Sequence, residues 1–211
     1  MSQALTLTSL PLFLLGTVLF PDGLLPLRIF EVRYLDMIAK CHKAGAPFGV
    51  VSLTEGAEVR VAGGRTEAFS AVGTLAIIKT FEVPQPGLMA IECTGAQRFR
   101  ITSRDKLRHG LWVANVERID MDMAVPVPTD LKGTARALQK VIATLQLRAG
   151  PGDSLPLLEP FQFNDCGWVA NRWCELLPLP LELKQRLMEL DNPLVRLELV
   201  SDVLSRTGIA N

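Results

Sequence analysis

The residue types best suited to metal binding or nucleophilic chemistry are four cysteines and two histidines. They are Cys41, Cys93, Cys166, Cys174, His42 and His109. No C-x-x-C pair occurs and the histidines lie far apart in the sequence, so the spacing typical of zinc ligands is missing. Neither histidine has an evident nucleophile or orienting acid. We therefore expect no metal, no cofactor and no catalytic residue, and four reduced, mostly buried cysteines.

The sequence also lacks the motifs of ATP binding and peptidase catalysis. The phosphate-binding pattern G-x-x-x-x-G-K-[ST] does not occur, and Gly63-Gly64-Arg65 is better interpreted as a loop or turn. No serine and lysine are arranged as a peptidase dyad, and no paired carboxylates favour acid and base chemistry. These absences from the sequence favour a binding protein over an enzyme.

Composition and charge narrow the class of partner. The sequence has 22 Lys and Arg against 22 Asp and Glu, so its formal charge is zero and a nucleic-acid partner is disfavoured. Hydrophobic residues make up 48% of the chain, which is toward the apolar end of the range for soluble proteins. Some of these residues could form an exposed patch. The apolar run 10–27 has no basic residues before it and is interrupted by Pro21 and Gly23, which predicts a cytoplasmic protein without a signal peptide or membrane span.

The first part of the chain, residues 1–122, has the pattern of a β domain. The predicted strands are 10–15, 24–29, 48–53, 72–83, 88–94 and 111–119. The segment Pro84-Gln85-Pro86-Gly87 favours a tight turn, which predicts a hairpin between two of these strands. We interpret this part as a β-barrel.

One helix is expected to interrupt the strands, over residues 30–43. Phe30, Tyr34 and Ile38 recur there at helical spacing, and Gly45 follows as a terminator. This helix should lie across an opening of the barrel.

The second part, residues 123–211, has a helical period. It begins with an extended V-P-V-P segment, which we take as the domain boundary. Four helices are predicted: one is capped by Thr129 or Asp130, one is capped by Asn164 or Asp165, one follows Leu179-Pro180, and one is capped by Asn192-Pro193. They predict a small helical bundle.

Several segments resemble the substrate-binding domain of the Lon protease family, in that family's order. They are 19–21 and 25–34, then 48–51, 72–74, 95–101, 176–179 and 184–189. The resemblance covers nearly the whole chain and implies an α+β fold, a PUA-like β-barrel followed by helices. It implies a docking surface for unfolded or tagged protein, here in a stand-alone chain without ATPase and peptidase modules. Val32 and Leu179 differ from the proline and serine usual in the family at two helix starts.

Seven residues are candidates for contacting a ligand or partner. They are Phe20, Leu24, Arg28, Phe30, Glu31, Arg33 and Arg98. The apolar three could supply an exposed surface for unfolded polypeptide or belong to the core. The charged four could contact a ligand, or they could join helix and strands through an ion pair of Glu31 with an arginine. The sequence leaves both alternatives open.

The expected partner is an unfolded or tagged polypeptide, or another protein. Binding would use apolar grooves and an open sheet edge that accepts an extended peptide as an added strand. A second hypothesis is a regulatory or adaptor subunit that docks on a full-length protease or on itself, so self-association is possible. RNA binding through the barrel is a third hypothesis, which the balanced charge disfavours.

Overall fold

The computed structural model describes residues 6–56, 67–150 and 155–207, in two compact units, Met1–Met121 and Asp122–Asn211. The strands among them are Thr6–Leu15 (β1), Leu24–Ile29 (β2), Phe48–Glu55 (β3), Ala68–Phe69 (β4), Val72–Gln85 (β5), Leu88–Lys106 (β6) and Trp112–Arg118 (β7). The helices are Val32–Ala44 (α1), Lys132–Arg148 (α2), Cys166–Leu176 (α3), Leu181–Glu189 (α4) and Pro193–Thr207 (α5). The predicted α+β class is confirmed.

The strands of the first unit form one mostly antiparallel sheet. Its order is β1-β7-β6-β5-β3-β4, β1 also pairs with β3 in parallel, and β2 pairs with β6. The predicted hairpin between β5 and β6 is confirmed, since Gln85 pairs with Leu88 and Gly87 has a φ of 80°, a value that glycine adopts readily. β6 extends beyond the predicted end at residue 94, and β4 was not predicted.

Both faces of β1 are buried, which explains its continuous apolar run. Leu12 and Leu14 pack in one hydrophobic cluster with Phe99 of β6. Phe13 and Leu15 belong to a second cluster, on the side where α1 lies. Because successive side chains of a strand point to opposite faces, β1 separates the two halves of the core.

Helix α1 packs on the second cluster, but it begins later than predicted. Tyr34, Ile38 and Cys41 are buried on one face, and the helix ends at Gly45, which has a φ of 60°. The predicted start at Phe30 is wrong, because Glu31 is extended, with a ψ of 129°, and the helix begins after it. Phe30 therefore lies outside the buried stripe and is 56% exposed.

A turn that precedes β2 lies directly against β6 at Gly95. The Asp22 N–H donates to the Gly95 carbonyl at 2.9 Å, and the Gly95 N–H donates to the Gly23 carbonyl at 2.9 Å. A Cβ atom on Gly95 would lie 2.0 Å from the Phe20 carbonyl oxygen, a distance that no side chain tolerates. The position therefore requires glycine.

The second unit contains helices α2 to α5. The predicted cap Asp165 is confirmed at α3, where its Oδ1 accepts a hydrogen bond from the Trp168 N–H at 2.7 Å. Asn192 caps α5 through the Leu194 N–H at 3.0 Å. The predicted N-cap of the first helix, Thr129 or Asp130, is wrong, since both lie in a 3-10 turn, Thr129–Leu131, and Leu131 is the N-cap of α2.

Among residues 6–56, 67–150 and 155–207, none of the helices has the length and apolar character needed to cross a membrane. The predicted turn at Gly63-Gly64-Arg65 lies outside these described residues.

Candidate functional site

Four of the seven candidate residues lie together where β2 runs into α1. They are Arg28, Phe30, Glu31 and Arg33. Arg28 and Phe30 are exposed, Glu31 is half-buried and Arg33 is buried. We call the exposed part of this junction, formed by Pro26, Arg28, Phe30, Glu31 and Val32, the β2–α1 surface.

The other three candidates lie elsewhere. Leu24 is half-buried at the opposite end of β2. Phe20 is fully buried, so of the two alternatives left open by the sequence it is a core residue and not part of an exposed apolar surface. Arg98 is 3% exposed on β6, opposite Thr74 of β5. Neither Phe20 nor Arg98 is accessible to a ligand.

Arg33 fixes the start of α1 to two other segments of the same unit, at Glu67 and Gly110. Its Nε donates to Glu31 at 3.1 Å, and one terminal nitrogen donates both to Glu67 at 3.2 Å and to the Gly110 carbonyl at 3.1 Å. Lys106 donates to the other oxygen of Glu67 at 2.5 Å. The expected ion pair of Glu31 with an arginine is therefore present, and it holds Glu31 in place at the β2–α1 surface.

Glu67 is the buried carboxylate of this ion cluster. Burial alone would raise the pKa of Glu67, but the hydrogen bonds from Lys106, from the backbone N–H of Glu67 and from Arg33 favour the ionised form. Their combined effect lowers the pKa of Glu67 from 4.5 to about 2. Ionised Glu67 thus stabilises the folded chain above pH 4.5, the ordinary pKa of this carboxyl group.

We expect Glu67→Gln to flatten the pH dependence of folding stability between pH 4.5 and about 2. The pKa is lower in the folded state, so the contribution of Glu67 is complete above pH 4.5 and is lost as pH falls toward 2. Its share is at most about 3 kcal/mol. Urea unfolding at several pH values would measure it. The control is Glu55→Gln, which removes an exposed carboxylate. If the free energy of unfolding of Glu67→Gln changes with pH as steeply as that of the wild type, the expectation is contradicted.

The β2–α1 surface exposes two large apolar side chains beside charged ones. Phe30 is 56% exposed and Val32 is 74% exposed, and Glu31 lies between them. Phe30 lines a cavity of about 230 Å³ whose walls are mostly apolar, with Phe13, Leu15 and Tyr34 among them, and which Arg28 and Glu31 also line. Apolar exposure next to an apolar cavity is typical of a binding surface.

A second cavity, of about 500 Å³, begins on the other side of Val32. Cys41 and His109 both line it, which brings a thiol and an imidazole to the same cavity. Burial raises the pKa of Cys41, whereas a nucleophilic cysteine needs a lowered one. The Cys41 thiol instead lies 4.0 Å from the Pro47 carbonyl, within the longer limit for a sulfur hydrogen bond. This arrangement favours a structural role for Cys41.

The remaining thiols follow the same pattern. All four cysteines are free and buried, as expected from the sequence. Burial raises the pKa of Cys93 to about 12 and that of Cys166 to about 11. Within residues 6–56, 67–150 and 155–207, no three His, Cys, Asp or Glu side chains are grouped as metal ligands.

Sequence reasoning missed three residues of this site. Val32 is a difference from the family's proline at a helix start, and no role in binding was predicted for it. Its β-branched side chain was a signal that a second apolar residue lies at the junction. Glu67 lies outside the recognisable motifs, so its pairing with Arg33 could not be predicted. Pro26 was part of a motif, but its position at a strand edge emerges only from the pairing of β2 with β6.

Comparison with known proteins relates the chain to one kind of domain. A family model described as the ATP-dependent protease La (LON) substrate-binding domain matches residues 9–206. A Lon N-terminal domain protein from Xanthomonas campestris is 28% identical, over 93% of this chain and 98% of that one, with a TM-score of 0.72. The N-terminal domain of Lon protease from the Mycobacterium avium complex is 18% identical over the same shares, with a TM-score of 0.59, and shows the fold alone. No curated protein matches the chain.

Proposed function

Because the chain belongs to the family of ATP-dependent protease La (LON) substrate-binding domains, we propose that it recognises unfolded or tagged polypeptide at the β2–α1 surface. The observation that carries this proposal is the exposure of Phe30 and Val32 beside an apolar cavity. Burying large apolar side chains is the main source of affinity for unfolded chains, which expose similar groups.

The ion cluster supports the same proposal, because it makes the surface rigid before a partner arrives. Arg33 is buried and holds Glu31 through a hydrogen bond of 3.1 Å, directly between the two exposed apolar residues. A surface whose side chains are already held in place loses less conformational freedom on binding. Arg33 therefore acts on binding through Glu31, while Arg28, Phe30 and Val32 are placed to touch the partner.

We also propose that the first unit is a PUA-like β-barrel and that the boundary with the helical domain follows residue 122. The pairing of β1 with β7 on one side and with β3 on the other supports a barrel. The compact units Met1–Met121 and Asp122–Asn211 support the boundary. In this proposal the module binds without catalysis, metal or cofactor, since the raised pKa values of the thiols oppose nucleophilic chemistry.

Titration with a permanently unfolded, reduced and alkylated protein tests the proposed function. We expect binding by the wild-type chain and a Kd raised about ten-fold or more in the Phe30→Ser, Val32→Ser variant, because the two lost contacts together cost about 1.4 kcal/mol or more. Fluorescence anisotropy of the labelled unfolded protein would measure both affinities.

The matched control is Leu147→Ser, which removes an apolar side chain that is 87% exposed on α2, a helix of the second unit. It should bind as the wild-type chain does. The proposal fails if the wild-type chain does not bind at high micromolar concentration, or if Leu147→Ser weakens binding as much as the double substitution.

A further inference from the structure

β2 is an edge strand of its sheet. In the described part of the chain it pairs with β6 and with no other strand, from Leu24 opposite Thr94 to Ile29 opposite Met89. An edge strand presents backbone N–H and C=O groups that lack a neighbour, and another extended chain is able to pair with them. Which residues present these groups depends on the alternation of hydrogen bonds along β2.

The turn before β2 fixes that alternation. The Gly95 N–H donates to the Gly23 carbonyl at 2.9 Å, so the carbonyl of residue 23 points toward β6. In an antiparallel pair the direction alternates, so Leu25, Leu27 and Ile29 exchange hydrogen bonds with β6. The backbone groups of residues 24, 26 and 28 therefore point away from it.

Pro26 agrees independently with this assignment. Proline has no N–H to donate, so within a sheet it is tolerated where that N–H would face away from the neighbouring strand. Residue 26 is such a position by the alternation just derived. The outer edge of β2 thus offers the N–H and C=O groups of Leu24 and Arg28 and the C=O group of Pro26.

The apolar cavity of about 230 Å³ lies along this outer edge. Its walls come from β1, β2 and the start of α1, and among the described residues none comes from β6, the neighbour on the inner side. Phe13, Leu15 and Tyr34 of this cavity belong to the hydrophobic cluster under α1. A side chain that entered the cavity from an added strand would join that cluster.

The opposite face of β2 carries charged side chains next to apolar ones. Pro26 and Arg28 are exposed there and line a depression of about 470 Å³ together with Thr80, Glu82 and Glu92 of β5 and β6. Side chains of an added strand alternate between the two faces of the sheet. One set would meet the apolar cavity and the other set would meet this charged face.

We propose that β2 binds an extended segment of unfolded polypeptide as an added strand, in which apolar side chains alternate with polar ones. This inference rests on the proposed function and specifies its mode: recognition by main-chain hydrogen bonds to Leu24, Pro26 and Arg28, with the apolar side chains in the cavity beside Phe13 and Tyr34. A segment with blocks of apolar residues would leave half of them on the charged face.

Synthetic peptides test the mode directly. The first peptide alternates apolar and polar residues, and the second has the same composition in two blocks. Two further peptides carry N-methyl groups on the alternating sequence, one on the odd and one on the even residues. An added strand directs only every second N–H toward β2, so we expect one N-methylated peptide to bind about ten-fold more weakly and the other to bind as the parent does.

A variant of the protein tests the same edge. Arg28→Pro removes an N–H on the outer edge while the hydrogen bonds of β2 to β6 remain, and Arg28→Ala removes the side chain alone. We expect Arg28→Pro to weaken binding of the alternating peptide about ten-fold more than Arg28→Ala does. Thermal unfolding checks that both variants are folded. If Arg28→Pro does not fold, the peptide series on the wild-type chain still tests the proposal.

The outcomes separate the mode from the function. Equal binding by both N-methylated peptides, or an equal loss in both, would overturn strand addition and leave polypeptide recognition by the β2–α1 surface in place. Stronger binding by the block peptide than by the alternating peptide would also overturn it. If neither the peptides nor the unfolded protein bind, both the mode and the proposed function fail.

Discussion

Arg196→Met should lower the free energy of unfolding of the helical unit by about 3–5 kcal/mol. The Arg196 side chain is 1% exposed and joins Asp122, α3 and the end of α4. It donates to Asp122 at 2.5 and 3.3 Å, to Asn171 at 3.0 Å and to the Leu187 carbonyl at 2.9 Å, and it also donates to the Leu190 carbonyl. Methionine fills the space but leaves the partly buried Asp122 carboxylate without this cation.

Denaturant unfolding followed by tryptophan fluorescence would measure this loss, because Trp168 and Trp173 both lie in the helical unit. The control is Arg186→Met, which breaks an ion pair with Glu182 whose side chains are 73% and 77% exposed. An exposed pair of this kind contributes about 0.3–0.5 kcal/mol. Similar losses in the two variants would show that the Arg196 cluster contributes no more than a surface pair.

A double variant separates the two parts of the effect. Asp122→Leu in addition to Arg196→Met removes the carboxylate that the single substitution leaves uncompensated. Breaking a buried pair costs more than replacing both partners with apolar groups. We therefore expect the double variant to regain part of the lost stability, and a further loss would contradict this account of the cluster.

Buried arginines of this kind are the part of the fold that could not be predicted from the sequence. Arg33, Arg172 and Arg196 are all nearly inaccessible, although charged residues are ordinarily assigned to the surface. Each is buried because other residues supply its acceptors, and for two of them these residues are distant: Arg33 reaches Glu67 and Arg196 reaches Asp122. No local pattern predicts such pairs, since they depend on how the elements pack.

Local signals, in contrast, predicted several elements well. β2 has its predicted bounds, and the turn ending at Gly87 lies where proline and glycine indicated it. Asp165 and Asn192 cap their helices because a side-chain oxygen next to a helix start has backbone N–H groups within reach. The far half of β6 was missed because its polar residues carry no apolar alternation, and its pairing with β7 defines it as a strand.

The candidate site was predictable only where its residues are contiguous. Arg28, Phe30 and Glu31 lie together because a strand leads directly into a helix. Helical spacing placed Phe30 on the buried stripe, and the extended backbone at Glu31 instead leaves it exposed, which is what makes it a candidate for binding. Phe20 has the same residue type and is fully buried, so apolar character alone does not separate surface from core.

Gly95→Ala is the second substitution for which we expect a large effect, a loss of about 3 kcal/mol of folding stability. The added Cβ would lie 2.0 Å from the Phe20 carbonyl oxygen and 3.2 Å from the Leu19 side chain. The turn would have to move away from β6, which breaks the hydrogen bonds of Gly95 with Asp22 and Gly23. Denaturant unfolding followed by Trp112 fluorescence, in a variant without the other two tryptophans, would measure the loss in this unit.

Gly133→Ala is the matched control, because a Cβ atom there meets nothing within 4 Å and α2 favours alanine over glycine. It should stabilise the chain by about 0.5–1 kcal/mol. A Gly95→Ala variant within about 0.5 kcal/mol of the wild type would show that the turn moves without cost. The same bond from Gly95 to Gly23 sets which backbone groups of β2 face outward, so any folded Gly95→Ala chain should also bind the alternating peptide more weakly.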